Sequence, residues 1–350
     1  MFSAGSAFST INDKDLRTLE KIVKGQCDIE ALKIPDGVAT DWYPLGFTEC
    51  FKRQSRSLQA ELVIACDLPA LPAAVEFAHR TRAKLIYDAH EMYPFQKEFS
   101  ERQKLVLAYY EAKLLPRVDV CVTVSDRIVE FMKNVYGKHL PIYCINNCAD
   151  FVDGNGVKRV LREKCGINST DPVFLYHGGF SEGRMLKELG EAFLSSSVMK
   201  ESYLVYLGSG QLNSELRTLA KTSKGKIFVL DAVAQEDLPG YICDADFVTI
   251  LYPALDENTK NAFPNKLGDC ITLGVPFFGS SEMLTLHDVA ERFSIGYVGL
   301  ARTREQISRE LTAAISWRAN NKNFDFQGAR GALGWGAQRK QFESLVLSLF

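Results

Sequence analysis

From Glu61 onward, short apolar runs alternate with stretches whose apolar positions recur every three or four residues. The runs ELVIA (61–65), KLIYD (84–88), DVCVTV (119–124) and PIYCI (141–145) are short, apolar and rich in β-branched residues, so they predict strands. Between the first two, Asp67 and Pro69 predict a helix start, as a cap and a first-turn proline, with Ala70, Ala73, Ala74, Phe77 and Ala78 on its apolar face. Strand, helix and strand within about thirty residues is a βαβ unit, which implies parallel strands. Ser125 predicts the cap of the helix after the third strand. A polar stretch at 150–171, carrying Gly154, Gly156 and Gly166, reads as a domain boundary.

The rhythm then restarts. Strands are predicted at 172–177, 203–207, 226–230, 246–251, 275–278 and 295–298. A helix over 184–196 carries Met185, Leu186, Leu189, Ala192 and Phe193 on one stripe, and an amphipathic helix over 337–350 is expected to cross back to the first domain. The pattern predicts an α/β protein of two Rossmann-like, doubly wound parallel sheets, over 1–160 and 161–330, with 331–350 as the returning helix. Residues 1–60 are less regular: a helix at 13–24, short strands near 28–33 and 40–45, and no opening strand with a glycine turn.

Composition narrows the function. At 350 residues and 46% hydrophobic, each half can bury a core, and a net charge of −2 argues against a nucleic-acid binder. Nine cysteines, scattered as at Cys66, Cys121 and Cys243, fit free buried thiols in a reducing compartment. The closest pair, Cys144 and Cys148, lacks zinc-site spacing. The first nine residues lack a signal-peptide pattern, and no run reaches the roughly 18 apolar residues of a membrane span. A cytoplasmic location follows as an expectation. Lys52, Arg53 and Arg56, and the basic residues beside Leu105, Leu107, Tyr109, Leu114 and Leu115, read either as a solvated face or as peripheral contact with the inner membrane face.

In parallel sheets, ligands bind at the carboxyl ends of strands. The strand at 172–177 runs into Tyr176-His177-Gly178-Gly179-Phe180-Ser181-Glu182-Gly183-Arg184. Two glycines there, a helix N-terminus and the planar fork of Arg184 suit an anion; a tight turn with a surface arginine is the plainer reading. In the stretch from Asn258 to Pro276, Pro264 is placed to start a helix, and the backbone of Asn261, Ala262 and Phe263 to present N–H groups before it. Lys266 in the first turn opposes the helix dipole and calls for an anion such as a diphosphate. Asp269, about one turn on, is placed to accept from ribose hydroxyls; solvated charges on an amphipathic helix are the alternative. The loop Asp231-Ala232-Val233 could read a base edge through its backbone. In the first half, Asp88-Ala89-His90-Glu91-Met92-Tyr93-Pro94 ends a strand with groups that bind sugar hydroxyls or move a proton, although a lone histidine is more often structural.

Taken in order, DAHExYP, DVCVTVS, a strand ending in Asn146-Asn147, YHGGFSEGR, VYLGSG and PNKLGDCITLGVP resemble the family 4 type of GT-B glycosyltransferases over about residues 61–300. That resemblance implies two Rossmann-like domains facing an interdomain cleft and a retaining, metal-independent transfer from a nucleotide sugar. It implies His90 near the transferred sugar and Gly178 and Gly179 facing the donor diphosphate. Arg184 and Lys266 fall at the two basic positions, Asp269 at the ribose-holding acid and Asp231 to Val233 at the base loop. The first acid of the family's pair is replaced here by Asn261.

The expected function is a hexosyltransferase-type enzyme of glycan, polysaccharide or glycoconjugate synthesis. It would use a UDP- or GDP-linked donor and a glycan or lipid-linked acceptor, with no cofactor, no metal and no nucleic acid. A non-catalytic nucleotide-sugar-binding subunit supporting a partner glycosyltransferase is the alternative, motivated by Asn261. A nucleotide-sugar epimerase, for which His90, Glu91 and His177 are the candidate groups, ranks below both. A nicotinamide dehydrogenase is disfavoured because no G-x-G-x-x-G follows an early strand.

Overall fold

The computed structural model describes residue 52 and residues 55–149, 156–321 and 323–350. The helix at 13–24, the strands near 28–33 and 40–45, and Arg53 lie outside the described residues. The described chain forms two compact units. The first holds the described residues up to Ile145 together with Leu255–Ala262 and Gln341–Phe350; the second holds Asn146–Ala254 and Phe263–Lys340.

In the first unit, β1 (Leu62–Cys66), β2 (Lys84–Ala89), β3 (Val120–Thr123) and β4 (Ile142–Cys144) form a parallel sheet in that order. Its helices are α1 (Asp67–Thr81), α2 (Glu101–Leu114) and α3 (Asp126–Tyr136). Ser125 caps α3 as expected, accepting from the Ile128 N–H at 3.1 Å. Asp67 does not cap α1. The helix begins at Asp67 itself, with Cys66 as the cap residue and Pro69 third in the helix rather than first. Asp67 sits at φ +59°, a left-handed conformation uncommon outside glycine.

One further expectation is overturned. Cys66 is exposed rather than buried. Leu107 and Tyr109 of α2, and Leu115 just after it, are buried. Lys52 pairs with Glu76 at 2.8 Å. Among the described residues, no helix is long and apolar enough to cross a membrane.

Glu111 of α2 is fully buried, accepting from the Tyr87 hydroxyl at 2.6 Å and the Tyr136 hydroxyl at 2.5 Å. Burial pushes its carboxyl up to about 7, against the lowering effect of both tyrosines.

The second unit is a six-stranded parallel sheet of order β10-β9-β8-β5-β6-β7. Its strands are β5 (Val173–Gly179), β6 (Tyr203–Ser209), β7 (Ile227–Leu230), β8 (Phe247–Ile250), β9 (Phe277–Ser280) and β10 (Gly296–Gly299). Helices α4 (Leu161–Cys165), α5 (Leu186–Ser195), α6 (Asn213–Thr222), α7 (Leu238–Ile242), α9 (Asn265–Leu273), α10 (Leu284–Phe293) and α11 (Arg304–Asn320) connect or cover the strands. The chain winds outward from β5 to β7, then restarts on the other side of β5 with β8. Between β5 and β8 lies the switch point, at which connections leave in opposite directions and where such sheets bind ligands.

The core here is aromatic: Phe174 stacks on Phe247 at 4.9 Å between centroids, and Tyr176, Phe180, Phe193, Tyr206 and Phe278 are buried with them. All five stripe residues of the predicted helix at 184–196 are buried, although the helix starts at Leu186, with Met185 at φ +53° preceding it. Arg184 therefore lies in the loop rather than in the helix. Pro264 is the cap of α9, one residue outside its expected place.

The chain passes between the units four times. One passage places α8 (Glu257–Asn261) in the first unit. After α12 (Phe326–Leu333), α13 (Trp335–Leu347) carries the chain back. There Phe342, Leu345, Val346 and Leu349 pack on the first sheet's Ile86, Val120 and Val122.

Candidate functional site

The switch point of the second unit gathers charge. The β5 and β6 strands run in register to their ends, pairing Gly178 with Gly208 and Gly179 with Ser209. Both strands extend two residues beyond the predicted runs. A Cβ at Gly208, whose φ is +154°, would lie 1.9 Å from the Gly178 carbonyl oxygen, so only glycine lets the turns approach this closely. The Phe180 N–H then donates to the Ser209 carbonyl at 2.7 Å, which ties the two turns together.

Over this turn lie two cations held by two tyrosines. Lys266 Nζ donates to the Tyr252 hydroxyl at 2.9 Å and stands 4.7 Å from the centroid of the Tyr176 ring. It is also 3.3 Å from where a Cβ on Gly178 would be, and Gly178 has φ +117°. The Arg184 guanidinium lies 4.4 Å from the centroid of the Tyr252 ring, within cation–π range. Tyr252 follows β8 and Tyr176 is in β5, so both cations are positioned from these two neighbouring strands.

Asp269 lies one turn beyond Lys266 on α9. Burial raises its carboxyl to about 6, with Lys266 acting in the opposite direction. His177 is 5% exposed, and burial followed by the Lys266 charge lowers its imidazole to about 3. Its Nε2 is 3.6 Å from Asp269 Oδ2. A neutral imidazole at that distance forms neither an ion pair nor a hydrogen bond.

The first unit presents a second cluster at its strand ends. Register places Asp88 opposite Cys66, so the Asp67 and His90 turns emerge side by side. His90 Nε2 lies 3.0 Å from Asp88 Oδ2, and that hydrogen bond raises the imidazole pKa against the effect of burial. Burial raises the Asp67 carboxyl, while the His90 charge and the backbone N–H groups of Glu91 and His90 draw it down. Asp67 Oδ1 is buried without a hydrogen-bond partner. Asn258 of α8 braces the turn: its Oδ1 accepts from the Met92 N–H at 2.8 Å and its Nδ2 donates to Glu91 Oε2 at 3.4 Å.

Gly178, Arg184, Lys266 and Asp269 therefore meet in the second unit, to which Gly179 and Phe263 also belong. Asn261 and Ala262 belong to the first unit. Asn261 is buried and gives its amide to its own helix, Nδ2 donating to the Glu257 carbonyl at 2.8 Å; its carbonyl accepts from Ser125 Oγ at 2.6 Å. Asp231 is an exposed partner of Arg217 at 2.5 Å, with Ala232 and Val233 following it in the loop after β7.

The sequence reading missed the tyrosine clamp, the His177–Asp269 approach and the Asn258 brace. Each joins residues distant in sequence or hidden in an apolar run; only Tyr252, a hydroxyl-bearing residue just after a strand, offered a local signal. Among the described residues, no group of three or more His, Cys, Asp or Glu side chains gathers as a metal site would.

The two parallel-sheet α/β units have the GT-B class of glycosyltransferase fold, as their likeness to solved structures shows. Within that class, residues 29–152 match the family model described as Glycosyltransferase Family 4. The structure is similar to Anabaena HepE in complex with UDP-glucose, with a TM-score of 0.67 and 15% identity over 86% of this chain and 82% of that one. It is also similar to sucrose-phosphate synthase from Thermosynechococcus elongatus, with a TM-score of 0.66 and 14% identity over 91% and 80%. A glycosyltransferase from Rickettsia africae ESF-5 gives a TM-score of 0.64 and 13% identity over 95% and 87%. No curated protein sequence matches the chain.

Proposed function

We propose that the chain transfers a sugar from a nucleoside diphosphate sugar to an acceptor hydroxyl, and that the second unit binds the donor. The observation that carries this reading is the pair of cations, Lys266 and Arg184, held by Tyr252 at the glycine turn of β5, with Asp269 one helical turn away. A diphosphate needs two positive contacts and close approach to backbone; a ribose needs a hydrogen-bond acceptor nearby. HepE, whose structure was solved with UDP-glucose, makes a uridine donor the first candidate.

As the glycosidic bond breaks, negative charge grows on the leaving diphosphate. Lys266 and Arg184 are placed to stabilise that charge in the transition state. In this reading the cations do the work of a metal, and transfer proceeds with retention, the donor phosphate helping to deprotonate the acceptor. His90, its imidazole raised by Asp88, is the first unit's candidate group for binding a sugar hydroxyl or moving a proton. The acceptor would be a glycan or lipid-linked glycan in glycoconjugate synthesis.

The conformation of Asn261 favours a second reading. Its side chain is committed to its own helix in place of the family's acid, as in a subunit that binds nucleotide sugar without transferring it. A thermal-shift screen of UDP-, GDP-, ADP- and dTDP-linked sugars separates the possibilities. One donor should raise the unfolding temperature, as mass action requires, by about 2.7 kcal/mol of stability at a hundredfold excess over its dissociation constant. Lys266→Ala and Arg184→Ala should each abolish the shift. Slow hydrolysis of the same donor supports an enzyme, binding without hydrolysis supports the subunit, and no shift with any donor would overturn the donor-site assignment.

A further inference from the structure

His177 is a polar side chain that the fold buries and leaves unsatisfied. It is the last residue of β5 before the glycine turn, and its Nε2 has no hydrogen-bond partner. Such a group inside a packed strand is costly unless something completes it. The buried residues before it in the strand, Val173, Phe174 and Leu175, are all apolar. The nearest acceptor is Asp269 Oδ2 at 3.6 Å, beyond the roughly 2.7–3.2 Å of an N–H···O hydrogen bond. Asp269 keeps 30% of its side-chain surface exposed, whereas the His177 side chain keeps 7%. The carboxylate therefore has one side toward solvent and one toward the imidazole.

We propose that His177 is a positioning residue of the donor site: its Nε2–H closes onto Asp269 when a ribose hydroxyl engages the solvent side of that carboxylate, and it thereby sets discrimination between ribose and deoxyribose. The inference rests on the donor reading above and adds a residue to it. The chemistry favours a neutral imidazole carrying its proton on Nε2. Lys266 opposes a second positive charge beside it, and an Nε2 lone pair would face the carboxylate repulsively. Held between His177 and a ribose hydroxyl, the carboxylate has one orientation. Without His177 it is free to rotate toward Lys266, and a hydroxyl contact becomes optional.

The test is calorimetric titration of the full chain with UDP, 2′-deoxy-UDP and 3′-deoxy-UDP, comparing wild type with His177→Leu and His177→Gln. Wild type should bind UDP about tenfold or more tightly over one of the deoxy forms, as a charge-assisted hydrogen bond warrants. His177→Leu should bind UDP and that deoxy form alike. His177→Gln, which can still donate toward Asp269, should recover most of the preference and provides the readout if the leucine variant fails to fold. A packing role alone would weaken all three ligands together and leave their ratios unchanged. Preserved discrimination in a folded His177→Leu protein would overturn the inference and leave the donor reading intact, as would a wild type that binds all three alike. A wild type that binds none of them would remove the uridine donor reading and this inference with it.

Discussion

At the scale of single residues, the site depends on pairings between groups remote in sequence. Tyr252 links Arg184 and Lys266, one by its ring face and the other by its hydroxyl. Tyr252→Phe keeps the face and removes the acceptor, so Lys266 loses its tether while Arg184 keeps its seat. The expected result is a roughly threefold to tenfold loss of donor affinity, with a larger loss in Tyr252→Leu, measured by titration with the donor found in the screen.

Glu111 makes a separate residue-scale prediction. Its folded pKa of about 7 stands above the ordinary 4.5, so the folded chain retains a proton that the unfolded chain has released. Stability from this group is fully present below about pH 4.5 and is lost as pH rises through about 7, by up to about 3 kcal/mol. Glu111→Gln stays neutral and can still hydrogen-bond Tyr87 and Tyr136. It should therefore gain stability relative to wild type between pH 5 and pH 8, and denaturant melts at those two pH values check the sign.

At the scale of elements, the turns after β5 and β6 act as one piece. Gly208→Ala would place a Cβ 1.9 Å from the Gly178 carbonyl oxygen, so the turns must separate. We expect destabilisation on the order of 2 kcal/mol or more, and weaker donor binding because Gly178 abuts Lys266. Gly179→Ala, where a Cβ meets nothing within 4 Å, is the matched control. Thermal melts and nucleotide titration of the two variants test the contrast. In the first unit, α8 performs a comparable service for the His90 turn through Asn258, although 166 residues separate Asn258 from Met92.

At the scale of the whole molecule, the chain repeatedly leaves one unit to complete the other. The final ten residues place Phe342, Leu345, Val346 and Leu349 on the first sheet. Truncation after Lys340 should expose Ile86, Val120 and Val122 and cost on the order of 3 kcal/mol or more of first-unit stability. Hydrogen exchange should rise across β1 to β4, while protection of β5 by bound nucleotide persists. Equal loosening of both sheets would contradict this division of the core.

All ten described strands were legible in the sequence, because a buried parallel strand is a short apolar run whatever surrounds it. So were the glycine turn at Gly178-Gly179, the basic residues Arg184 and Lys266 and the cap at Ser125, because backbone conformation, charge and capping are local properties. The start of α1 was misread: Asp67 and Pro69 carry the signature of a cap and first-turn proline, but the tertiary fold puts Asp67 at positive φ against the His90 turn. That Leu107 and Tyr109 of α2 are buried was not legible, because periodicity shows that an apolar face exists, not what covers it. The approach of His177 to Asp269 and the hydrogen bonds of Tyr252 with Lys266 and Asn258 with Met92 bring together residues 92, 14 and 166 positions apart, and no local pattern encodes them. Local chemistry determined the elements and the kind of groups at their ends. Only the packing of the sheets decided which of those groups meet, because side-chain contact at a strand end depends on strand order and register.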